Sequence, residues 1–218
     1  IALSESESSE VASLWADLAR RGDPSDRWYL EALGIAARGR WDACLEEWLE
    51  AVGGSWTSES GRQIVWRSRG LQTPRLLHHL LRDPQLPDEE VPRLMRAFDF
   101  QDPSVREPVL RQLAFERELE TDRDYQIAVE ALVRLPTPSE AVDGITRARV
   151  DQLLDRTDDL DLLLTMARRF GLRTRTDDLF RIAIDQPRTY AAVRAIGLLL
   201  DWDQADRIET VLRGGDVA

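Results

Sequence analysis

Two adjacent histidines (His78 and His79), a single cysteine (Cys44) and an acidic run from Asp201 to Glu209 are the residues of this 218-residue chain best suited to chemistry. The imidazoles suggest a metal. Neighbouring positions on a helix project about 100 degrees apart, however, so both rings reach one ion only with help from another element. Leu76, Leu77, Leu80 and Leu81 flank the pair, which reads better as one packed and one exposed histidine. The run Asp201-Trp202-Asp203-Gln204-Ala205-Asp206 suggests calcium, but an EF-hand loop needs Gly at its sixth position and this run has Asp206 there. It reads as a helix cap with a solvated acidic face. Cys44 lies between Ala43 and Leu45 in a helical pattern, so a buried, inert thiol is expected.

Other chemistries lack their residues. One cysteine allows neither an internal disulfide nor a CxxC or CxxCH pattern for zinc or covalent haem. The sequence has no Lys and no Asn, so Schiff-base lysines, phosphate-loop lysines and Asn-linked glycosylation are ruled out. There is no Gly-x-Ser-x-Gly elbow for a nucleophilic serine. A carboxylate pair for glycoside hydrolysis stays open, because its separation belongs to the fold. The expectation is a chain without catalytic, metal-binding or cofactor-binding residues.

Twenty-nine basic residues, all Arg, stand against forty acidic ones, and the net charge of −11 repels nucleic acid unless a basic stripe overrides it. No such stripe is evident, so no nucleic-acid partner is expected. No apolar run is long enough to cross a bilayer, and Ile1 to Glu10 lacks the regions of a signal peptide, so no membrane insertion by this segment is expected. The opening without Met suggests a single domain, residues 1–218, excised from a longer protein.

The elements that would position any site are helices. Helical periodicity with breakers every ten to fifteen residues runs throughout, predicting about thirteen short helices and no strand. The expected spans begin with Ser9 to Arg21, Asp26 to Gly39, Trp41 to Val52 and Glu59 to Arg69. Further starts fall at Thr73-Pro74, Pro87, Asp102-Pro103 and Thr121 or Asp122. The last five are Ser139 to Asp155, Asp158 to Phe170, Thr176 to Asp185, Pro187 to Leu200 and Trp202 to Arg213. Asp158 to Phe170 is one-faced, whereas Tyr190 to Leu200 is apolar nearly all round and should sit between neighbours on both sides.

That alternation suits stacked repeats. Fragments recur, as in Arg27 to Gly34, Tyr125 to Leu132 and Tyr190 to Gly197, each placing small residues where a neighbouring helix must come close. Leu94 to Asp99 followed by Asp102-Pro103-Ser104-Val105-Arg106 resembles the HEAT-repeat turn, in which an Asp caps the second helix and the Val-Arg packs and pairs with it. At about 40 residues per repeat, the chain holds roughly five or six pairs. The expected fold is all-α, an α-solenoid of HEAT-like antiparallel helix pairs.

Five of the seven tryptophans lie between Trp28 and Trp66. Trp41, Cys44, Leu45, Trp48 and Leu49 follow a buried helical face, so Trp41 and Trp48 read as core. Trp56, in the Gly53 to Ser60 connection, and Trp66, beside Arg67 and Arg69, are the candidates for an interaction surface.

Trp28 to Ala36, Arg40 to Val52 and Gly61 to Arg69 resemble the HEAT-like region of planctomycete- and verrucomicrobial-type multidomain proteins, described as haem-binding CxxCH proteins or membrane-bound dehydrogenases. Beyond Thr73 the likeness reduces to general HEAT character. Such proteins join an N-terminal β-propeller, the helical region and a C-terminal cytochrome-c-like domain. The resemblance implies a non-catalytic, extracytoplasmic scaffold between a redox domain and its haem domain, with Trp56, Trp66, Arg67 and Arg69 contributing to docking. The alternative is a carbohydrate-binding module or a fragment of a helical enzyme, using exposed Trp and carboxylates.

Overall fold

The computed structural model describes residues 10–116, 118–138 and 142–214. Among these, the chain is all-helical, with thirteen α-helices, four short 3-10 segments and no strand. It divides into two compact units, Ile1–Leu135 and Pro136–Ala218.

The first unit contains α1 (Val11–Arg21), α2 (Arg27–Ala36), α3 (Trp41–Val52), α4 (Glu59–Arg67), α5 (Thr73–Arg82), α6 (Val91–Ala97), α7 (Pro103–Phe115) and α8 (Asp122–Arg134). Short polar side chains start α2, α4, α7 and α8 by accepting amides that have no carbonyl partner in the first turn. Asp26 accepts from Trp28 N at 2.8 Å, and Ser58 from Gly61 N at 3.2 Å. Thr121 and Asp124 cap each other reciprocally, the Asp124 carboxylate accepting from Thr121 N at 2.9 Å while the Thr121 hydroxyl accepts from Asp124 N at 3.1 Å.

Helices in this unit touch their next neighbours and their next-but-one: α1 packs on α3, α2 on α4, α4 on α6, α5 on α7 and α6 on α8. The core runs through Trp15, Leu45, Leu77, Leu81, Met95, Leu110 and Ile127, all fully buried or nearly so. Trp15 fixes the α1 end of it. Its indole N–H donates to Leu33 O at 2.8 Å, and its ring meets Trp41 edge to face at 5.6 Å. Trp48 is core as expected and Trp41 is half-buried.

The second unit contains α9 (Gly144–Leu154), α10 (Leu160–Phe170), α11 (Thr176–Asp185), α12 (Tyr190–Asp201) and α13 (Ala205–Leu212). Helix α10 buries Leu163, Leu164, Ala167 and Phe170, the face that its periodicity indicates, and Gly171 ends it in the left-handed conformation at φ +62.

Several boundaries differ from expectation for identifiable reasons. Residues 139–141 of the expected ninth helix lie outside the described residues; α9 starts at Gly144, where Asp143 accepts from Thr146 N at 2.8 Å. Pro187 does not open α12, because Thr189 caps it by accepting from Ala192 N at 3.2 Å. Trp202 closes α12 with a buried ring instead of opening α13, and Asp203 takes a left-handed turn at φ +62. The segment Asp88–Glu90 is a 3-10 turn before α6, since Pro92 has no N–H to offer the Asp88 carbonyl. In the HEAT-like turn, Asp102 caps Ser104 N at 2.8 Å, but Arg106 reaches back to Phe98 O at 3.0 Å and Asp99 O at 3.2 Å instead of pairing with Asp102.

Candidate functional site

Three of the four residues singled out as an interaction surface come together where α4 ends. Ser68 leaves the helix in extended conformation, and the chain must turn at once into α5. That turn is built from buried polar groups. The Ser68 hydroxyl donates to Val65 O at 2.8 Å and lies 2.8 Å from Thr73 Oγ1. Its one hydrogen is thus used on the carbonyl, and the Thr73 hydroxyl is the donor between the two. Gln101 Nε2 donates to Ser68 O and to Ala97 O, both at 3.1 Å. Ser68, Thr73 and Gln101 are all buried, and leaving such groups unpaired would cost more than the bonds gain.

Arg69 caps the carbonyl end of α4. Its Nη1 lies 2.6 Å from Ser68 O, 2.8 Å from Arg67 O and 3.2 Å from Trp66 O, and the guanidinium stacks over Phe100 at 4.8 Å. A cation there complements the negative end of the helix dipole. Burial, with a further contribution from the charge of Arg67, pushes Arg69 down to about 10, which leaves it charged at neutral pH. Arg67 turns the other way. It pairs with Glu31 at 3.1 Å and lies across Gly34, where an added Cβ would stand 2.2 Å from its Cζ. Here the small residue of the recurring fragment does permit a close approach.

Trp66 lies beneath the Arg93 guanidinium, 4.2 Å from its ring centre, and its indole nitrogen is shielded from solvent without a hydrogen-bond partner. Trp56 is elsewhere. Its ring packs on His79 at 5.1 Å, and its carbonyl lies over Gly61, whose Cβ would meet it at 2.1 Å. All four residues are half-buried. Their recognised bonds are to this chain, and no nucleophile or carboxylate pair stands among them.

The other reactive candidates are quiet. Burial pushes the Cys44 thiol up to about 11 against a smaller opposing effect of Arg40, so no thiolate forms at neutral pH. No His, Cys, Asp and Glu group suited to a metal occurs among the described residues. The acidic run is a series of helix ends, but none of its carboxylates caps α13, whose first turn follows Gln204. Asp201 lies 3.5 Å from Arg168.

A cleft of about 360 Å³ in the second unit gathers Asp155, Arg175 and Asp178. Arg175 bonds Asp151 and Asp155 at 2.7 Å each and Asp178 at 3.4 Å. Burial opposes its charge, but the bonds to Asp151 and Asp155 outweigh that and hold its pKa above the ordinary value. These carboxylates are held by a cation, unlike a facing acid and base.

Periodicity did not single out two exposed features. Trp28 is 79% exposed beside Arg27, whose guanidinium lies 6.0 Å from its ring. Its place right after the Asp26 cap, in the first turn of α2, was the signal available. On α12, Tyr190, Val193, Ile196 and Leu200 are all exposed. Their spacing puts them within one third of the helix circumference. Among the described residues, the neighbours expected on both sides of α12 are present on one, where α10 and α11 pack.

No family model, curated protein or solved structure matches the chain. No helix among the described residues is long and apolar enough to cross a membrane.

Proposed function

We propose that this chain is a non-catalytic helical interaction module in which each unit stacks its helices in two layers as a HEAT-like α-solenoid. The packing of helices on their next-but-one neighbours supports the layering. The observation that carries the functional reading is the exposed apolar stripe on α12, about 15 Å long, from Tyr190 to Leu200. Large apolar side chains in such a row favour a protein contact.

The resemblance of residues 28–69 supplies the partners: a dehydrogenase-like β-propeller and a cytochrome-c-like haem domain of an extracytoplasmic parent protein. No haem or metal is held by this chain in that reading. Trp28 and the surfaces that Trp56, Trp66, Arg67 and Arg69 leave exposed add to the docking face.

Calorimetric titration of the chain with separately produced propeller and haem domains tests this. A stoichiometric complex with at least one domain is expected, weakened about tenfold by Leu200→Asp with the circular dichroism spectrum unchanged. Absence of binding to both domains would overturn the assignment of partners.

A further inference from the structure

A groove of about 450 Å³ lies between α5 and α7 in the first unit. Its apolar side is Leu71, Val105, Pro108 and Val109, and Leu71 is 58% exposed. Gln72, Arg75 and Gln112 stand at its polar edge. Pro108 sits inside α7 and has no N–H, so the carbonyl of Ser104, another lining residue, lacks its donor one turn on. A backbone acceptor of a groove-lining residue therefore lacks its usual helical donor.

The charge around this groove runs against that of the chain. Overall the sequence carries −11, yet α5 (Thr-Pro-Arg-Leu-Leu-His-His-Leu-Leu-Arg) has no carboxylate. Arg75, His79 and Arg82 fall at i, i+4 and i+7, all exposed on one face. Neither Arg75 nor Arg82 has a carboxylate within ion-pair distance among the described residues, and neither does Arg111 on the adjoining turn of α7. Of the carboxylates around these helices, Asp42 accepts from Leu71 N at 2.6 Å, Asp102 from Ser104 N and Asp83 from Gln85 N at 2.8 Å each, and Glu107 stands on α7. In a molecule where most arginines are tied to carboxylates or carbonyls, this face keeps its cations free.

We infer that the α5–α7 groove binds an acidic peptide segment in extended conformation, an apolar side chain seated on Leu71, Val105 and Pro108 and its carboxylates paired with Arg75 and Arg82. Bidentate guanidinium pairing favours carboxylates in that role. The open Ser104 carbonyl takes a backbone N–H of the peptide, as an unpaired strand edge would. The flanking cations suit any anion, but the apolar floor and the carbonyl acceptor suit an acidic peptide, which brings apolar side chains and backbone N–H groups, better than nucleic acid. This rests on the reading of the chain as an interaction module and deepens it by naming a surface and a partner chemistry.

Fluorescence anisotropy with a labelled peptide of alternating glutamate and leucine, titrated with the full chain, is the test. Saturable binding is expected, weakened about tenfold by Arg75→Glu and unchanged by Arg188→Glu, an exposed arginine of the second unit. Pro108→Ala is the sharper variant. It gives the Ser104 carbonyl a helical donor and should raise the melting temperature, yet weaken the peptide about fivefold. Equal binding of a glutamine–leucine peptide, equal binding of single-stranded DNA, or indifference to Arg75→Glu would overturn the proposal. If the acidic peptide fails while the propeller or haem domain binds, the groove is wrong and the interaction module stands. The reverse result rejects those partners and keeps the groove.

Discussion

At the end of α4, residues 65–73 bury two hydroxyls beside the Gln101 amide and find each a partner, while α12 leaves four large apolar side chains uncovered along one side. The difference shows that burial follows the neighbours available and not the polarity of the letters. Ser68, Thr73 and Gln101 can be interior because their bonding groups meet within one turn of chain. Tyr190, Val193, Ile196 and Leu200 stay outside because α10 and α11 cover only the opposite face of α12. A buried polar knot specifies one local geometry; an uncovered apolar stripe leaves a surface for another molecule.

The largest effect should come from the core that supports the first of these regions. Trp15→Ala removes a fully buried indole and its bond to Leu33 O, and should cost about 3–5 kcal/mol in denaturant unfolding. If helices depend chiefly on near neighbours, hydrogen exchange should rise in α1 to α4 while α7 and α8 keep their protection. The buried Cys44 thiol on α3 offers a second readout, becoming more reactive toward a thiol reagent. Uniform loss of protection through α8 would show one cooperative core and break the layered reading of that unit.

Much of this architecture was legible in the sequence. Trp41 to Val52 and Thr176 to Asp185 were bounded to the residue by periodicity and, for the first, by Gly53, whose positive φ ends the helix locally. Arginine bonds to carbonyls were not legible. Arg69 and Arg106 each reach main-chain acceptors whose positions depend on how the following segment turns, and Arg123 holds Leu86 O and Asp83 O at 2.8 Å from far along the chain. For the same reason Trp66 and Arg67 look like a surface pair in sequence, yet one lies under Arg93 and the other on Glu31. The exposed face of α12 was hidden too, since an apolar helix reads alike whether one side or two are covered.

Of intermediate size is the contrast between the knot and the stripe themselves. Arg69→Met keeps the side-chain length but removes the cation from the α4 carbonyls, and should cost about 2 kcal/mol. Leu200→Gln on α12 should stay within about 0.5 kcal/mol of the parent, because the side chain is already 52% exposed. Equal losses for the two, measured by urea unfolding, would mean that α12 is covered in solution.

The smallest and most discriminating pair is two helical glycines from fragments that look alike in sequence. At Gly197, in the interior of α12, an added Cβ meets nothing within 4 Å. Gly197→Ala should therefore gain the helix-propensity difference and stabilise by about 1 kcal/mol. At Gly34 the same propensity gain is opposed by the Arg67 guanidinium, 2.2 Å from the new Cβ. That group is the far end of a flexible side chain, so it can move aside, but moving weakens the bond to Glu31. A half-exposed pair of this kind contributes about 0.5–1 kcal/mol, which nearly cancels the gain and leaves Gly34→Ala close to neutral. Thermal unfolding of Gly34→Ala, Glu31→Gln and the double variant separates the two contributions: once Glu31 no longer holds Arg67, Gly34→Ala should stabilise as Gly197→Ala does. If Gly34→Ala remains neutral without Glu31, packing of α2 against α4 and not the ion pair sets the need for glycine, and only α12 would have room to spare.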